Sequence, residues 1–213
     1  MAEEKTARNA TASIDFVTIE VADPTAADRF YTAVIGLGTR VRLRASEAPT
    51  TGFRGFILAL GVSQPAAVNG LIGTALDAGA TSLKPAAKSL WGYGGVVQAP
   101  DGTILTLTSP KKDTGPATRE IDEVVLELGV ADVAASKRFY VDRGFTAEES
   151  HGRKYVAFGP PSSPIKLSLL NRRALAKVAG VSADGTGSHR LTVGSDAGPF
   201  TDPDGFVWEA ASL

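Results

Sequence analysis

The sequence predicts an α+β fold in which one small domain occurs twice in tandem. The first observation is an internal repeat, because the segment that begins at Val21 returns at Val130, an offset of 109 residues. The second is a Pro-Asp-Gly turn near each end, with Gly102 and Gly205, followed by a short strand-like segment. The copies then run from about residue 13 to 110 and from about 119 to 213, joined by a polar, proline-containing linker.

Each copy opens with a strand, because apolar and polar residues alternate with the period of two that a half-buried strand shows. The alternating apolar residues are Val17, Ile19 and Val21 in the first copy and Val124, Leu126 and Leu128 in the second. Their neighbours are predicted to face the opposite side of the sheet.

A helix follows the first strand in each copy. Asp23 is placed to cap the first helix and Pro24 suits its first turn, while Gly36 and Gly144 end the two helices. A longer second helix is predicted only in the first copy, over residues 65–78, and a shorter one in the second copy, over residues 172–178. Further strands are predicted at residues 40–45, 53–62, 103–108, 154–158, 165–170 and 206–211.

Composition excludes several classes of function. The chain is 43% hydrophobic and 21% charged, which is ordinary for a protein with a core, and its net charge of −1 attracts neither nucleic acid nor an anionic membrane. No apolar run is long enough to span a membrane, and the polar N-terminus does not resemble a signal peptide. Without cysteine there is no disulfide framework, so the cytoplasm is the expected compartment. The sequence does not decide between a monomer and a homodimer.

The order of these motifs resembles the vicinal oxygen chelate superfamily. In both copies an apolar strand leads to Val-x-Asp, a helix ending in Phe-Tyr, a glycine, and an Asp-Gly turn before the last strand. The superfamily includes glyoxalases, bleomycin-resistance proteins and extradiol dioxygenases. The resemblance covers nearly the whole chain and implies βαβββ-type modules in cupped mixed sheets with helices outside. Such a cup is expected to hold a small organic molecule, but the fold does not imply one reaction.

The resemblance also indicates where a metal ion would bind. In the first copy two of the family's ligand positions are Phe16 and Thr106, which hold a divalent cation poorly, so this copy is expected to be metal-free. In the second copy the resemblance points to Glu123, His189 and Glu209 as ligands of one divalent metal ion. Glu209 is also the expected catalytic residue.

The alignment of the second copy leaves two alternatives open. If Asp132 rather than the preceding strand sets the alignment, Val125 takes the position of Glu123. If Leu191 and Val193 face the core, strand alternation makes His189 face it as well, and His189 is then a structural residue.

Four glutamates are predicted to face a cup, and they are Glu20, Glu123, Glu127 and Glu209. A carboxylate in such a place must be paired, bound to a cation or protonated. Two interpretations stay open. One is recognition of a cationic ligand or base catalysis beside a metal, and the other is ion pairing with arginines such as Arg40, Arg42 or Arg190.

Candidate ligand-binding residues of the first copy come from its first strand, an aromatic segment and its last strand, and they are Phe16, Thr18, Glu20, Trp91, Tyr93 and Thr106. Trp91 and Tyr93 lie among glycines, a pattern typical of a loop at a pocket mouth where aromatic rings stack on a planar ligand. The alternative for Trp91 is that it plugs the end of the sheet. Trp208 precedes Glu209 in a strand and is therefore predicted to face the core.

Three functions are compatible with this pattern. The first is a glyoxalase/bleomycin-resistance-like protein that binds a small organic molecule in a metal-free first copy. The second is a metal-dependent lyase, isomerase or dioxygenase with its site in the second copy. The third is a non-catalytic interaction protein with vestigial cups.

Overall fold

The computed structural model describes residues 11–90, 92–110, 112, 118–160 and 162–211. Strands and helices are both abundant, and apolar side chains from both copies join in one large core. The α+β class predicted from the sequence is confirmed.

The first copy has two helices, α1 Pro24–Asp28 and α2 Pro65–Asp77, within the described residues. Wider π-helical turns continue α1 over Arg29–Ile35, and a 3-10 turn follows at Gly38–Arg40. Its strands are β1 Ile14–Val21, β2 Val41–Ala45, β3 Thr50–Gly52, β4 Phe56–Gly61, β5 Thr81–Lys88, β6 Tyr93–Gln98 and β7 Ile104–Ser109.

The second copy contributes helices α3 Val133–Val141 and α4 Arg172–Ala179. Its described strands are β8 Glu123–Val130, β9 Ala147–Ser150, β10 Tyr155–Phe158, β11 Lys166–Asn171, β12 Gly185–Gly187, β13 Leu191–Ser195, β14 Phe200–Thr201 and β15 Val207–Ala210. The helices predicted at residues 65–78 and 172–178 are thus confirmed as α2 and α4. Strand β5 was not predicted because it is polar and contains Pro85, a combination that suits the edge position it occupies.

Each of the two main sheets combines strands of both copies. Among the described residues, one sheet has eight strands in the order β5-β6-β7-β4-β8-β11-β10-β9. The other has five, in the order β14-β15-β13-β1-β2. The first strand of the first copy therefore lies in a different sheet from β4 to β7. The limits of 13–110 and 119–213 for the repeat units remain a prediction. Within the described residues, neither unit forms a sheet from its own strands alone.

The sheets are joined by antiparallel pairs between the copies. In the eight-stranded sheet β4 pairs with β8, so that Leu58 lies opposite Leu126 and Ala59 opposite Val125. In the five-stranded sheet β1 pairs with β13. This exchange gives a partner to strand edges that would stay unpaired if each copy folded by itself.

The first helices of both copies start in the same way. The side chain of Asp23 accepts hydrogen bonds from the backbone N–H groups of Thr25 and Ala26 at 2.9 and 3.0 Å. Asp132 caps α3 through the equivalent pair of bonds. The cap predicted for Asp23 is confirmed, and Gly36 ends the π-helical turns with a φ of 86°, a left-handed conformation that favours glycine.

The tyrosine of each Phe-Tyr pair is bonded to the turn that precedes a final strand. The hydroxyl of Tyr31 donates to Asp101 at 2.7 Å, and that of Tyr140 donates to Asp202 at 2.6 Å. These contacts explain why the Phe-Tyr and Asp-Gly motifs occur together in each copy, because the end of the helix is tied to the turn.

Replacing Tyr140 with phenylalanine is expected to destabilise the protein by about 1–3 kcal/mol, since Oδ2 of the buried Asp202 then loses its donor. Tyr31→Phe is the matched control and should cost less. Asp101 keeps the hydroxyl of Thr103 at 2.6 Å and the guanidinium of Arg54 at 3.6 Å, whereas Asp202 keeps two backbone N–H donors but no cation. Urea unfolding of both variants measures the difference, and equal losses would contradict this account.

No helix within the described part of the chain is both long enough and apolar enough to cross a membrane.

Candidate functional site

The eight-stranded sheet has two faces of different character. Helices α2 and α3 pack on one face, where Leu58, Leu126 and Leu169 belong to the main core. The opposite face, here called the cavity face, holds an open cavity of about 610 Å³. Both copies line it, with Ala59, Val96 and Thr106 from the first and Glu123, Val125 and Glu127 from the second.

Strand alternation places the glutamates of β8 in this cavity. Val124, Leu126 and Leu128 are buried in the core, so Glu123, Val125 and Glu127 point the other way. The prediction that Glu123 and Glu127 face the same side of a sheet agrees with this arrangement.

Glu127 is the most unusual group of the cavity. It is partly buried, with Ile57 of β4 and Ser168 of β11 as its neighbours in register. Burial raises the pKa of Glu127 from its ordinary value of 4.5 to about 7. A carboxyl group with this pKa exchanges its proton near neutral pH, as ligand-recognising or catalytic carboxyls do.

Glu123 lies in a different environment on the same strand. Its Oε1 is 2.5 Å from the ammonium nitrogen of Lys166 on β11, and about half of its side chain is exposed. The hydrogen bond to Glu123 raises the pKa of Lys166, as expected for a paired ammonium group. The carboxylate of Glu123 is therefore already compensated, whereas no lysine or arginine of the described residues pairs with Glu127.

Helix α4 covers one end of the cavity face. Leu175, Ala176 and Ala179 form a second apolar cluster with Ile57 and with neighbouring residues of β6 and β7. The ammonium group of Lys84 holds the C-terminus of α4 by donating to the carbonyl oxygens at residues 177 and 178, at 2.6 and 2.7 Å. The remaining open part of this face is the cavity described above.

The other predicted ligand-binding residues of β1 lie in the five-stranded sheet. Phe16 is buried, and the guanidinium of Arg42 stacks over its ring at 3.3 Å from the centroid. Thr18 and Glu20 lie on the same face. The structure thus separates Phe16, Thr18 and Glu20 from Tyr93 and Thr106, because β1 pairs with β2 and β13 and not with β4 or β7.

Glu20 and Glu209 share one arginine on this face. A nitrogen of Arg44 lies 3.0 Å from a carboxylate oxygen of Glu209, and another lies 3.8 Å from Glu20. Thr18 donates to Glu209 at 3.3 Å. Ion pairing was one of the two interpretations for these carboxylates, and the partner is Arg44, which was not among the expected arginines.

His189 is held between main-chain groups. Its two ring nitrogens lie 2.5 Å from the carbonyl oxygen of Arg54 and 3.1 Å from that of Asp204. The ring also stacks on the core residue Phe206 at 3.9 Å between centroids. A ring N–H can thus donate to either carbonyl oxygen, and contact with the backbone and with a core ring is typical of a structural histidine.

The expected metal ligands do not converge. Glu123 is in the eight-stranded sheet, Glu209 is in the five-stranded sheet, and His189 lies just before β13 against backbone carbonyls. Within the described residues no group of three or more histidine, aspartate or glutamate side chains is arranged to hold a metal ion. The donor set present therefore does not fit the divalent ion that the resemblance implied.

Tyr93 and Thr106 are predicted ligand-binding residues that line the cavity. The hydroxyl of Tyr93 donates to the side chain of Asn69 on α2 at 2.8 Å, so the ring packs on the helix side of the sheet and Tyr93 lines the cavity without it. Trp91 lies outside the described residues. The sequence did not predict that Glu127 is unpaired. It indicated only that Glu127, two residues after Val125 on an alternating strand, faces the same side as Val125.

A second cavity of about 450 Å³ lies against α1 and the π-helical turns. Its buried polar groups Tyr31 and Asp101 are hydrogen-bonded to each other. We therefore take the cavity of the eight-stranded sheet as the candidate site.

No family model and no curated protein matches the sequence of this chain. Solved structures do resemble it. A variant of glyoxalase I from Zea mays aligns with a TM-score of 0.59 at 17% identity, over 93% of this chain and 91% of that one. Another structure of maize glyoxalase I gives a TM-score of 0.57 at 16% identity, over the same shares.

A candidate dioxygenase from Bacillus subtilis subsp. subtilis str. 168 also aligns, with a TM-score of 0.53 at 12% identity. The alignment covers 86% of this chain and 70% of that one. At these identities the likeness shows the fold. The chain has the vicinal oxygen chelate fold, as its repeated motifs predicted.

Proposed function

We propose that this protein binds a small organic molecule in the cavity of the eight-stranded sheet, with no metal ligand from the first copy. The observation that carries the proposal is the cavity of about 610 Å³, a volume within the range of about 300–1,000 Å³ of small-molecule sites. One chain supplies all eight strands, so the site does not need a second chain.

Small residues on neighbouring strands leave room for a ligand. Ala59 and Gly61 of β4 and Gly94 of β6 line the cavity where larger side chains would fill it. Gly94 also permits close packing, because a Cβ atom there would lie 2.6 Å from the carbonyl oxygen of Leu107. The size of the cavity thus follows from the sequence of these strands.

The lining combines apolar walls with a few polar groups. Val96 and Val125 supply apolar surface, while Thr106 and Glu127 supply a hydroxyl group and a carboxyl group. This mixture is typical of sites that bind organic molecules and orient them through a small number of polar contacts.

The absence of cysteine suits a reducing compartment, and we place this function in the cytoplasm.

The metal-dependent alternative is not proposed, because Glu123, His189 and Glu209 are each engaged by different neighbours in different parts of the fold. The names of the similar structures concern those proteins, and at their low identity they do not transfer an activity to this chain.

The test uses small aromatic compounds that share a ring and differ in the head group. Phenyl, indolyl and naphthyl rings each carry an aminoethyl, a hydroxyethyl or a carboxymethyl group. At least one compound should raise the melting temperature, because a ligand at a hundred times its Kd stabilises the native state by about 2.7 kcal/mol. Ala59→Phe, which places a ring in the cavity, should abolish the rise.

Ala66→Phe is the matched control, since Ala66 is exposed on α2 on the other side of the sheet. It should keep the full thermal shift. A shift that persists unchanged in Ala59→Phe would place binding elsewhere, and no shift with any compound would count against the proposed function as a whole.

A further inference from the structure

The cavity contains one carboxyl group that the described protein leaves without a partner. No hydrogen bond or ion pair joins Glu127 to another described residue, and burial is the sole cause of the change in its pKa. Buried carboxyl groups are normally paired, whereas Glu127 is partly buried, unpaired and open to the cavity, where a ligand can reach it.

Two lysines, Lys84 and Lys88, line the same cavity, and among the described cations near Glu127 only Lys88 has no partner of its own. Lys166 of β11 is paired with Glu123, and Lys84 of β5 is bonded to the carbonyl oxygens at the end of α4. Lys88 of β5 is exposed, and Arg172 of α4 donates to the carbonyl oxygens of Phe53 and Ala183.

The remaining groups that face Glu127 add no positive charge. Tyr155 on β10 has a raised pKa because of its burial and because of the carboxylates of Glu149, Glu127 and Glu123. Strands β4 and β7 present no ionisable side chain on this face, where their residues are Ile57, Ala59, Gly61, Ile104, Thr106 and Thr108. The register neighbours of Glu127, Ile57 and Ser168, are therefore uncharged.

We propose that the ligand of this cavity is an organic cation whose ammonium or guanidinium group pairs with Glu127. This inference rests on the proposed function and names the chemical class of the ligand. A cation supplies the charge that Glu127 lacks, and its apolar part occupies the wall formed by Val96 and Val125. An anion would be repelled by the carboxylate, and a neutral molecule would leave that carboxylate uncompensated.

The experiment compares the head groups of the same aromatic series by calorimetric titration at pH 6 and pH 8. The amines should bind about tenfold more tightly than the matching alcohols at pH 8. Their affinity should fall about tenfold at pH 6, since the ionised fraction of a carboxyl group with a pKa of about 7 falls by that factor. The alcohols should show little change with pH.

Glu127→Gln should remove the preference for amines and its dependence on pH. The control variant Glu148→Gln removes an exposed carboxylate of β9 in the same sheet and should behave like the parent protein. Calorimetry in two buffers of different ionisation enthalpy should also show proton release when an amine binds at pH 6.

The outcomes separate this inference from the proposed function. Binding of alcohols or carboxylates as tight as that of the amines, or an amine preference that survives Glu127→Gln, would overturn the cation assignment and leave the binding site in place. If no member of any series binds, the proposed function and this inference fail together.

Discussion

Glu127→Gln is expected to stabilise the unliganded protein by about 2–3 kcal/mol at pH 8, an unusual result for a substitution inside a site. Glutamine is isosteric with the protonated acid and does not ionise, so it avoids the cost of a carboxylate in the apolar cavity. The folded-state pKa of about 7 lies above the ordinary value of 4.5. Protonated Glu127 therefore favours the folded state. This contribution to the free energy of unfolding is fully present below pH 4.5 and is lost as the pH rises through 7.

The measurement is urea unfolding of the parent protein and of the variant from pH 4 to pH 8. The difference between them should grow with pH over this window and should be nearly absent at its acidic end. Glu148→Gln, which changes an exposed carboxylate, should show no such trend. A constant difference across the window would mean that Glu127 does not titrate in the way its burial implies.

Trp208→Ala is expected to cost about 3–5 kcal/mol, the largest loss predicted for this protein. Trp208 is 1% exposed and stacks on Phe200 with 5.0 Å between ring centroids. Tyr140 of α3 and Phe145 contact it at 5.3 and 5.4 Å. The core-facing orientation predicted for Trp208 is confirmed.

Trp208 lies between the two main sheets, so its replacement tests whether they unfold together. Strand β15 belongs to the five-stranded sheet, whereas α3 packs on β10 and β11 of the eight-stranded sheet. The aromatic cluster therefore joins the two sheets, and its loss should lower the stability of both in a single transition.

Circular dichroism and tyrosine fluorescence during urea unfolding measure this effect. Trp208→Phe, which keeps an aromatic ring, should lose roughly half as much stability as Trp208→Ala. Two separate transitions in the parent protein, or a loss below about 0.5 kcal/mol in Trp208→Ala, would contradict a shared core.

For much of the candidate site, the sequence predicted which face of its strand each residue occupies. The alternation around Val124 and Leu126 placed Glu123 and Glu127 on one side of β8, and a similar argument turned Trp208 into the core. These features depend on local geometry, because neighbouring residues of a strand point in opposite directions whatever the strand pairs with.

The predicted grouping of site residues depended on which strands pair, and there the structure differs. Glu209 was expected with Glu123, but it lies beside Glu20 and Arg44 of the first copy. Motif positions in each repeat suggested one cup per copy, whereas both sheets contain strands of both copies. Local patterns do not carry this information, because several pairings satisfy the same alternation.

The sequence by itself determined the tandem repeat, the helix caps, the Phe-Tyr and Asp-Gly motifs, and the α+β class, since each is written in short stretches of chain. Only the tertiary structure decided that β1 leaves the sheet of β4 to β7, that α4 covers one end of the cavity face, and that Glu127 has no partner among the described residues. The physical reason is that strand partners and the pairing of a buried charge result from the packing of segments far apart in the chain.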